Sequence, residues 1–280
     1  MKGAGVPTDR RAVAAWNASV AVEELGGGSH PVALLLHSEE GPDHDQPFAR
    51  AIAETHRVLL PSHPGFGGQP RVPRIDRPVD LAYLYLALLD AYAVDACVLV
   101  GASLGAWIAL EMAAMEPRRF SALVAIGPIG LKFNGRTDLS FAEVLVGSQD
   151  AISQLLYSDT AHDVWRDRKE TDDVIRRAEQ RESLLHYGWE PYLHNPRLRH
   201  LLARVAMPAL LVAGADDGLV PDGYYAAVAG ALPDARVVSI PDAGHFPQIE
   251  QPARTVSHVV QFISGGANRP LSLSAKGRRP

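Results

Sequence analysis

The chain has 280 residues, of which 47% are hydrophobic and 21% charged, and its formal net charge is −5 at pH 7. These values are ordinary for a globular protein that buries a large core. The acidic balance argues against a nucleic-acid partner, which would require a basic face. No apolar run is long enough to cross a membrane, and the single cysteine excludes an intrachain disulfide. We therefore expect a cytoplasmic protein without a nucleic-acid or membrane partner.

The N-terminal region predicts the entry into a sheet. Residues 1–18 are interpreted as a loose or partly helical lead-in. Residues 18–25 alternate weakly, as in a half-exposed strand, and the fully apolar stretch 31–37 is typical of a buried strand. Because the glycine-rich turn 26–30 lies between them, the two strands are predicted to form a hairpin.

Strands and helices then alternate along most of the chain. Patterns that favour strands cover residues 57–61, 97–100, 121–127, 208–214 and 236–240. Patterns that favour helices cover residues 48–56, 79–92, 106–114, 222–231 and 250–263. This alternation predicts the α/β class, with a mostly parallel sheet covered by helices on both faces.

Residues 131–205 lack buried-strand patterns and interrupt the alternation. Helical patterns within them lie near 138–146, 149–157, 160–168 and 171–186. Since ligands bind at the carboxyl ends of parallel strands, this insertion is expected to roof the site. The predicted organisation is a core of 1–130 and 206–264, a helical cap of 131–205, and a polar, basic, disordered tail of 265–280.

The sequence Gly101-Ala-Ser103-Leu-Gly105 follows a buried strand directly and precedes an apolar helix. It has the pattern G-x-S-x-G, in the strand–turn–helix context that makes this pattern a nucleophile elbow. A plain glycine–serine turn is the alternative, and the flanking strand and helix argue against it. Ser103 is therefore the candidate nucleophile.

A serine hydroxyl needs a general base, and the base needs an orienting acid. Asp216 and Asp217 follow the strand 208–214, and His245 lies in the loop after the last strand. The chain order serine, aspartate, histidine is the order of an α/β-hydrolase triad.

These segments together resemble the α/β-hydrolase superfamily, in its branch of helically capped serine hydrolases, over about residues 19–264. The resemblance implies an eight-stranded, mostly parallel sheet. It also implies Ser103 as nucleophile, His245 as general base and Asp217 as the acid, with Asp216 as the alternative. No cofactor and no metal are expected.

The same resemblance implies an oxyanion hole built from the backbone N–H groups of Leu104 and Glu39. Ser38 stands where family members usually have glycine, which leaves the backbone less free. The acidic Glu39 side chain would be unfavourable beside an anionic transition state unless it points to solvent.

Two histidines, His37 and His63, could suggest a metal site with the nearby segment 43–45. No ligand spacing supports one, and structural hydrogen bonds are the better interpretation. Segment 43–45 is interpreted as a solvated loop. Aromatic residues of the cap are candidates for the pocket lining or the cap core: Tyr157, Trp165, Tyr187, Trp189 and Tyr192.

The predicted reaction is hydrolysis of a carboxylic ester or lactone through an acyl-enzyme. Because an apolar roof is expected, the predicted substrate is a small or medium, mostly apolar acyl compound. A carbon–carbon hydrolase of the meta-cleavage type is an alternative, although Ala102 and Phe246 stand where that group usually has Asn and Trp. A non-catalytic ligand-binding member of the fold is the second alternative, since fold alone does not determine function.

Overall fold

The computed structural model describes residues 8–16, 18–135, 138, 140–144 and 147–266. The strands are β1 Thr8–Ala15, β2 Ala18–Leu25, β3 Val32–Leu36, β4 Arg57–Pro61, β5 Cys97–Ala102, β6 Phe120–Ile126, β7 Ala209–Gly214 and β8 Ala235–Ile240. The helices are α1 Pro42–Ile52, α2 Pro78–Ala91, α3 Leu104–Met115, α4 Gln149–Leu156, α5 Thr171–Gly188, α6 Leu198–Leu201, α7 Tyr224–Ala231, α8 Pro247–Glu250 and α9 Pro252–Gly266. None of the helices described is both long and apolar enough to span a membrane.

All eight strands form one sheet in the order β1-β2-β4-β3-β5-β6-β7-β8. β2 runs antiparallel to β1 and to β4, and the remaining neighbours are parallel. The predicted eight-stranded, mostly parallel sheet is thus confirmed. β5 lies near its centre, so the turn that follows β5 opens at the middle of the carboxyl edge.

The central strands are apolar throughout because both faces of the sheet are covered. Leu34 and Leu36 of β3 pack into a core with α2 and α3, whereas Ala33 and Leu35 pack into a second core with α1 and α9. Successive side chains of a strand point to opposite faces, which produces these two cores from one strand. The prediction of helices on both faces is confirmed.

The N-terminal prediction is wrong in two respects. Residues 8–15 form β1 rather than a loose or partly helical lead-in. β2 pairs with β1 and β4, and β3 pairs with β4 and β5, so residues 18–25 and 31–37 do not form a hairpin. The buried β3 requires a neighbour on both sides, and its parallel partners supply them.

Helix α1 begins at Pro42 rather than at residue 48, and it ends at Ile52. Proline fits the first helical position, where its missing N–H has no partner to lose. Segment 43–45 therefore lies in the first turn of α1, and its interpretation as a solvated loop is wrong for Asp45, which is 1% exposed. Asp45 Oδ2 accepts a 2.5 Å hydrogen bond from the Ser38 amide.

Between β6 and β7, α4 and α5 confirm the helices predicted near 149–157 and 171–186. The described part of 138–146 is irregular, and 160–168 contains only a 3₁₀ turn, so these two helix predictions are wrong. Asp163 accepts a hydrogen bond from the Trp165 amide, which is a local alternative to helical bonding. The disordered tail predicted for 265–280 is wrong for residues 265 and 266, which belong to α9, and residues 267–280 lie outside the described residues.

Candidate active site

Ser103 lies in a sharp turn between the carboxyl end of β5 and the first residue of α3. Its backbone has φ 48° and ψ −111°, a conformation that costs a non-glycine residue about 1–3 kcal/mol. A side chain at Gly101 would collide with the Gly105 carbonyl, and one at Gly105 with the Leu36 carbonyl. The two glycines therefore let the strand and the helix approach closely, which explains their spacing around the serine.

The three predicted catalytic side chains are brought together in one hydrogen-bonded chain. Ser103 Oγ lies 2.8 Å from His245 Nε2, and His245 Nδ1 lies 2.8 Å from Asp217 Oδ2. The His245 side chain is fully buried and that of Asp217 is 2% exposed. We call these three residues the relay.

Asp217, rather than Asp216, lies at the histidine. Its Oδ2 also accepts a hydrogen bond from the Tyr225 hydroxyl, and its Oδ1 accepts one of 2.9 Å from the Leu219 amide. Asp216 instead accepts a hydrogen bond from Ser158 Oγ at the surface. The geometry therefore agrees with the aspartate that the family resemblance implies.

Burial and charge act in opposite directions on the relay. Burial raises the pKa of Asp217, but the charge and hydrogen bonds of His245 outweigh it, so the pKa of Asp217 lies below its ordinary value. Burial lowers the pKa of His245, but Asp217 outweighs it, so the pKa of His245 lies above its ordinary value. The imidazolium form is therefore stabilised where a general base would need it.

The Glu39 carboxylate does not point to solvent, which would be the favourable orientation beside an oxyanion hole. Its Oε2 accepts a hydrogen bond of 3.4 Å from the Leu104 amide, so it points to the predicted oxyanion hole and not away to solvent. Leu104 directly follows the nucleophile and opens α3, where the helix dipole favours an anion. The Glu39 carboxylate thus lies where a developing oxyanion would be bound.

His37 and His63 fix the loop that carries Glu39. The His63 amide donates to His37 Nε2, and His63 Nε2 lies 2.9 Å from the His37 carbonyl oxygen. The rings are stacked at 3.7 Å, and burial lowers the pKa of His37 to about 3. These hydrogen bonds agree with the predicted structural role. No cluster of three or more possible metal ligands occurs in the part of the chain that the structure describes.

A cavity lined by residues of both the core and the segment 131–205 lies beside the relay. Glu39 and Leu156 line it and connect it to the site, since the Leu156 carbonyl accepts a 2.7 Å hydrogen bond from the His245 amide. The other lining residues come from α4, α5 and the segments near them: Glu40, Val144, Gln149, Ile152, Ser153, Tyr157, Asp163, Trp165, Arg177, Gln180, Arg181 and Leu184. The lining is mixed, whereas a mostly apolar roof was expected.

Only two of the five cap aromatics, Tyr157 and Trp165, line this cavity. The Tyr187 hydroxyl donates to the Pro64 carbonyl, Tyr192 bonds the backbone of residues 142 and 144, and Trp189 is exposed. These three therefore do not line the pocket.

Comparison with known proteins agrees with this architecture. A family model described as the alpha/beta hydrolase fold matches residues 31–252. The chain belongs to this family. The alpha/beta hydrolase is 29% identical to the pimeloyl-[acyl-carrier protein] methyl ester esterase of Xanthomonas campestris, over 87% of this chain and 98% of the relative.

It is 31% identical to the corresponding esterase of Aromatoleum aromaticum, over 85% of this chain and the whole relative. It is 28% identical to the dihydrolipoyllysine-residue acetyltransferase component of an acetoin cleaving system from Pseudomonas putida. That match covers 86% of this chain, which spans 65% of the length of the Pseudomonas protein.

The solved structure of naproxen esterase from Bacillus subtilis superposes on this hydrolase with a TM-score of 0.73 at 17% identity, over 92% of each chain. The 2-hydroxy-6-oxo-6-phenylhexa-2,4-dienoate hydrolase of a Rhodococcus strain gives 0.74 at 19% identity, over 92% of this chain and 99% of that one. These likenesses confirm the fold.

Sequence analysis missed two residues that support the relay in this hydrolase. Tyr225 bonds Asp217 from α7, and Glu250 accepts a 2.6 Å hydrogen bond from the Gly244 amide, next to His245. Glu250 Oε2 also accepts from the Ser158 amide and so ties the histidine loop to the segment after α4. Both residues lie in helices, where a polar residue is normally exposed, so no sequence signal distinguished them.

Proposed function

We propose that this alpha/beta hydrolase cleaves carboxylic esters, lactones included, through an acyl-enzyme on Ser103. The observation that carries the proposal is the relay, in which Ser103, His245 and Asp217 are joined by two 2.8 Å hydrogen bonds at the carboxyl edge of the sheet. Relatives over nearly the whole chain are named as esterases, which supports an ester as the substrate.

In the acylation step, Ser103 Oγ attacks the ester carbonyl carbon while its proton passes to His245 Nε2. Asp217 accepts the hydrogen bond of His245 Nδ1, which leaves Nε2 free to act as the base and stabilises the imidazolium that forms. When the tetrahedral intermediate collapses, the C–O bond to the alcohol breaks. His245 then gives its proton to the departing oxygen.

The oxyanion is bound by the Leu104 amide and, as a second donor, the Glu39 amide. For this to occur, the Glu39 carboxylate must leave the Leu104 N–H that it now accepts from. Entry of the substrate carbonyl would displace it toward the cavity, which Glu39 also lines. In the second half-reaction, water attacks the acyl carbon with His245 again as the base, and the acid is released.

Residues 131–205 act as the cap in this proposal. Their helices α4 and α5 line the cavity, and the Leu156 carbonyl contacts the histidine loop. A small or medium acyl group bound in the cavity would thus place its carbonyl near Ser103. The core would supply the chemistry, and the cap would supply the selection of the acyl group.

Labelling with a fluorophosphonate, followed by peptide mass spectrometry, tests the proposal, with turnover of p-nitrophenyl acetate and butyrate measured in parallel. We expect a phosphonyl adduct on Ser103, steady turnover of both esters, and neither in Ser103→Ala. An adduct without ester turnover would instead favour a carbon–carbon hydrolase.

The binding-only alternative is favoured by one observation, the Glu39 carboxylate at the Leu104 amide. If neither adduct nor turnover is found in the native protein, Glu39→Gln should be labelled in the same way. An adduct in that variant would assign the inactivity to the side chain. Its absence would overturn the proposed hydrolase mechanism.

A further inference from the structure

The cavity beside the relay contains polar atoms that the protein itself does not satisfy. Arg181 Nη2, Gln180 Oε1, Gln149 Oε1 and Ser153 Oγ are buried and have no hydrogen-bond partner. All four residues line the cavity, and Gln180 and Ser153 are each only 5% exposed. Buried polar groups in folded proteins are nearly always paired, so unpaired groups that converge on one cavity indicate a ligand.

The acidic groups of the same cavity are already partnered. Glu39 accepts from the Leu104 amide, and Glu40 accepts from the Trp165 indole N–H. Asp163 accepts from Gln149 Nε2 at 3.1 Å and from the Trp165 amide at 2.9 Å. Each of these carboxyl groups therefore has at least one hydrogen-bond donor within the protein.

Two basic residues of the cavity, Arg177 and Arg181, differ from these acids because they have no ion-pair partner among the described residues. Arg177 and Arg181 lie four residues apart on α5, so they are on the same face of the helix. Among the described residues, no carboxylate forms an ion pair with either of them. The pKa of Arg177 is lowered by burial and then by the charge of Arg181, and Asp163 and Glu40 offset this only in part. An anion bound beside the two guanidinium groups would offset their mutual repulsion and favour the charged form of Arg177.

One of the neighbouring acids, Glu40, opposes an anion less than its carboxyl group would suggest. Burial, together with the charges of Glu39 and Asp163, raises the pKa of Glu40 to about 8. Glu40 is therefore mainly protonated at neutral pH and repels an anion little. A planar anion matches the donors of a guanidinium, which binds carboxylates through two parallel hydrogen bonds.

We propose that Arg177 and Arg181, together with Ser153, form a subsite for a carboxylate carried by the substrate. The inference rests on the proposed function: the substrate is an ester whose acyl chain ends in a carboxylate, away from the carbonyl that Ser103 attacks. Arg181 and Ser153 donate to the carboxylate, and the glutamine oxygens accept from the water that accompanies it.

A pair of esters of equal chain length tests the subsite: methyl hexanoate and monomethyl adipate. We expect a kcat/KM at least about tenfold higher for monomethyl adipate, since charge-assisted hydrogen bonds discriminate by this order. Arg181→Gln and, independently, Arg177→Gln should each reduce this preference about tenfold, mainly through KM for the adipate ester.

Arg176→Gln is the matched control, because Arg176 lies on the same helix but faces Asp43 at the surface. It should leave the preference unchanged. Equal kcat/KM for the two esters, or a preference that survives both substitutions, would overturn the carboxylate subsite. A phosphonate-terminated ester that is preferred over the adipate ester would overturn the assignment to a carboxylate.

Binding to Ser103→Ala, measured by calorimetry, separates this inference from the proposed function. If the native protein hydrolyses neither ester, but Ser103→Ala binds monomethyl adipate and loses the binding with Arg181→Gln, the subsite stands and the hydrolase mechanism fails. If Ser103→Ala binds both esters equally, with or without Arg181→Gln, the subsite is wrong, whatever the turnover.

Discussion

The relay and the cavity lie side by side, yet their polar groups differ in one respect. In the relay, Ser103, His245 and Asp217 each have a partner within the protein, and Tyr225 and the Leu219 amide satisfy the remaining carboxylate lone pairs. In the cavity, buried atoms of α4 and α5 have none. The groups that would react are thus preorganised by the protein, whereas those that would select the substrate are left for the substrate to complete.

Removal of the nucleophile should cause the largest loss of turnover. Ser103→Ala is expected to reduce kcat for p-nitrophenyl butyrate at least about 10³-fold, because no other group can form the acyl-enzyme. His245→Ala should cause a similar loss. Thermal unfolding of both variants should remain close to that of the native protein. Near-normal turnover in either variant would show that the relay is not the reacting system.

The two neighbouring aspartates provide an internal control for the acid. Asp217→Asn should lower kcat about 10²–10⁴-fold, since the amide cannot stabilise the imidazolium of His245. Asp216→Asn removes only a surface bond from Ser158 and should change kcat less than about threefold. Steady-state kinetics of both variants give the ranking, and the reverse order would move the acid to Asp216.

The pH dependence of kcat/KM reports the pKa of His245 in the free protein. Because Asp217 raises that pKa above the ordinary 6.5, activity should fall as the pH is lowered through a midpoint above 6.5. In Asp217→Asn, burial is opposed only by the smaller effects of Glu39 and Glu40, so the midpoint should move to lower pH. A midpoint that stays in place in Asp217→Asn and disappears in Glu40→Gln would assign the titration to Glu40 instead.

The smallest change in turnover is expected for Glu39, whose carboxylate accepts from the Leu104 amide and which also lines the cavity. Glu39→Gln removes a negative charge from the oxyanion position and should raise kcat for p-nitrophenyl acetate about two- to tenfold. Glu54→Gln is the matched control, because it makes the same substitution at an exposed residue that does not line the cavity. A loss of turnover in Glu39→Gln would mean that the carboxylate assists the reaction rather than obstructing it.

The sequence predicted the centre of the fold well because local chemistry determines it. The apolar run of β5, the two glycines around Ser103 and the apolar helix α3 each favour the conformation that they adopt. The choice of Asp217 over Asp216 came from the family resemblance, and the hydrogen bond between Asp217 and His245 agrees with it. Where neighbouring residues alone fix the conformation, the sequence was sufficient.

Features that depend on residues far apart in the sequence could not be predicted from local patterns. β1 is exposed over most of its length, so it lacks the alternation that marks a half-buried strand. One of the two partners of β2 is β4, which lies more than thirty residues further along the chain. The direction of the Glu39 side chain depends on the Leu104 amide, and the cavity depends on how α4 and α5 pack over it. Periodicity carries no information on any of these.

The stacked His37–His63 pair has a use in measuring the relay. Burial lowers the pKa of His37 to about 3 and that of His63 well below its ordinary value, whereas the pKa of His245 is raised, so both rings are neutral where His245 titrates. In a histidine NMR titration, their ring signals should therefore stay fixed while that of His245 shifts. The two histidines are a built-in reference against which protonation of the candidate base can be followed within one sample.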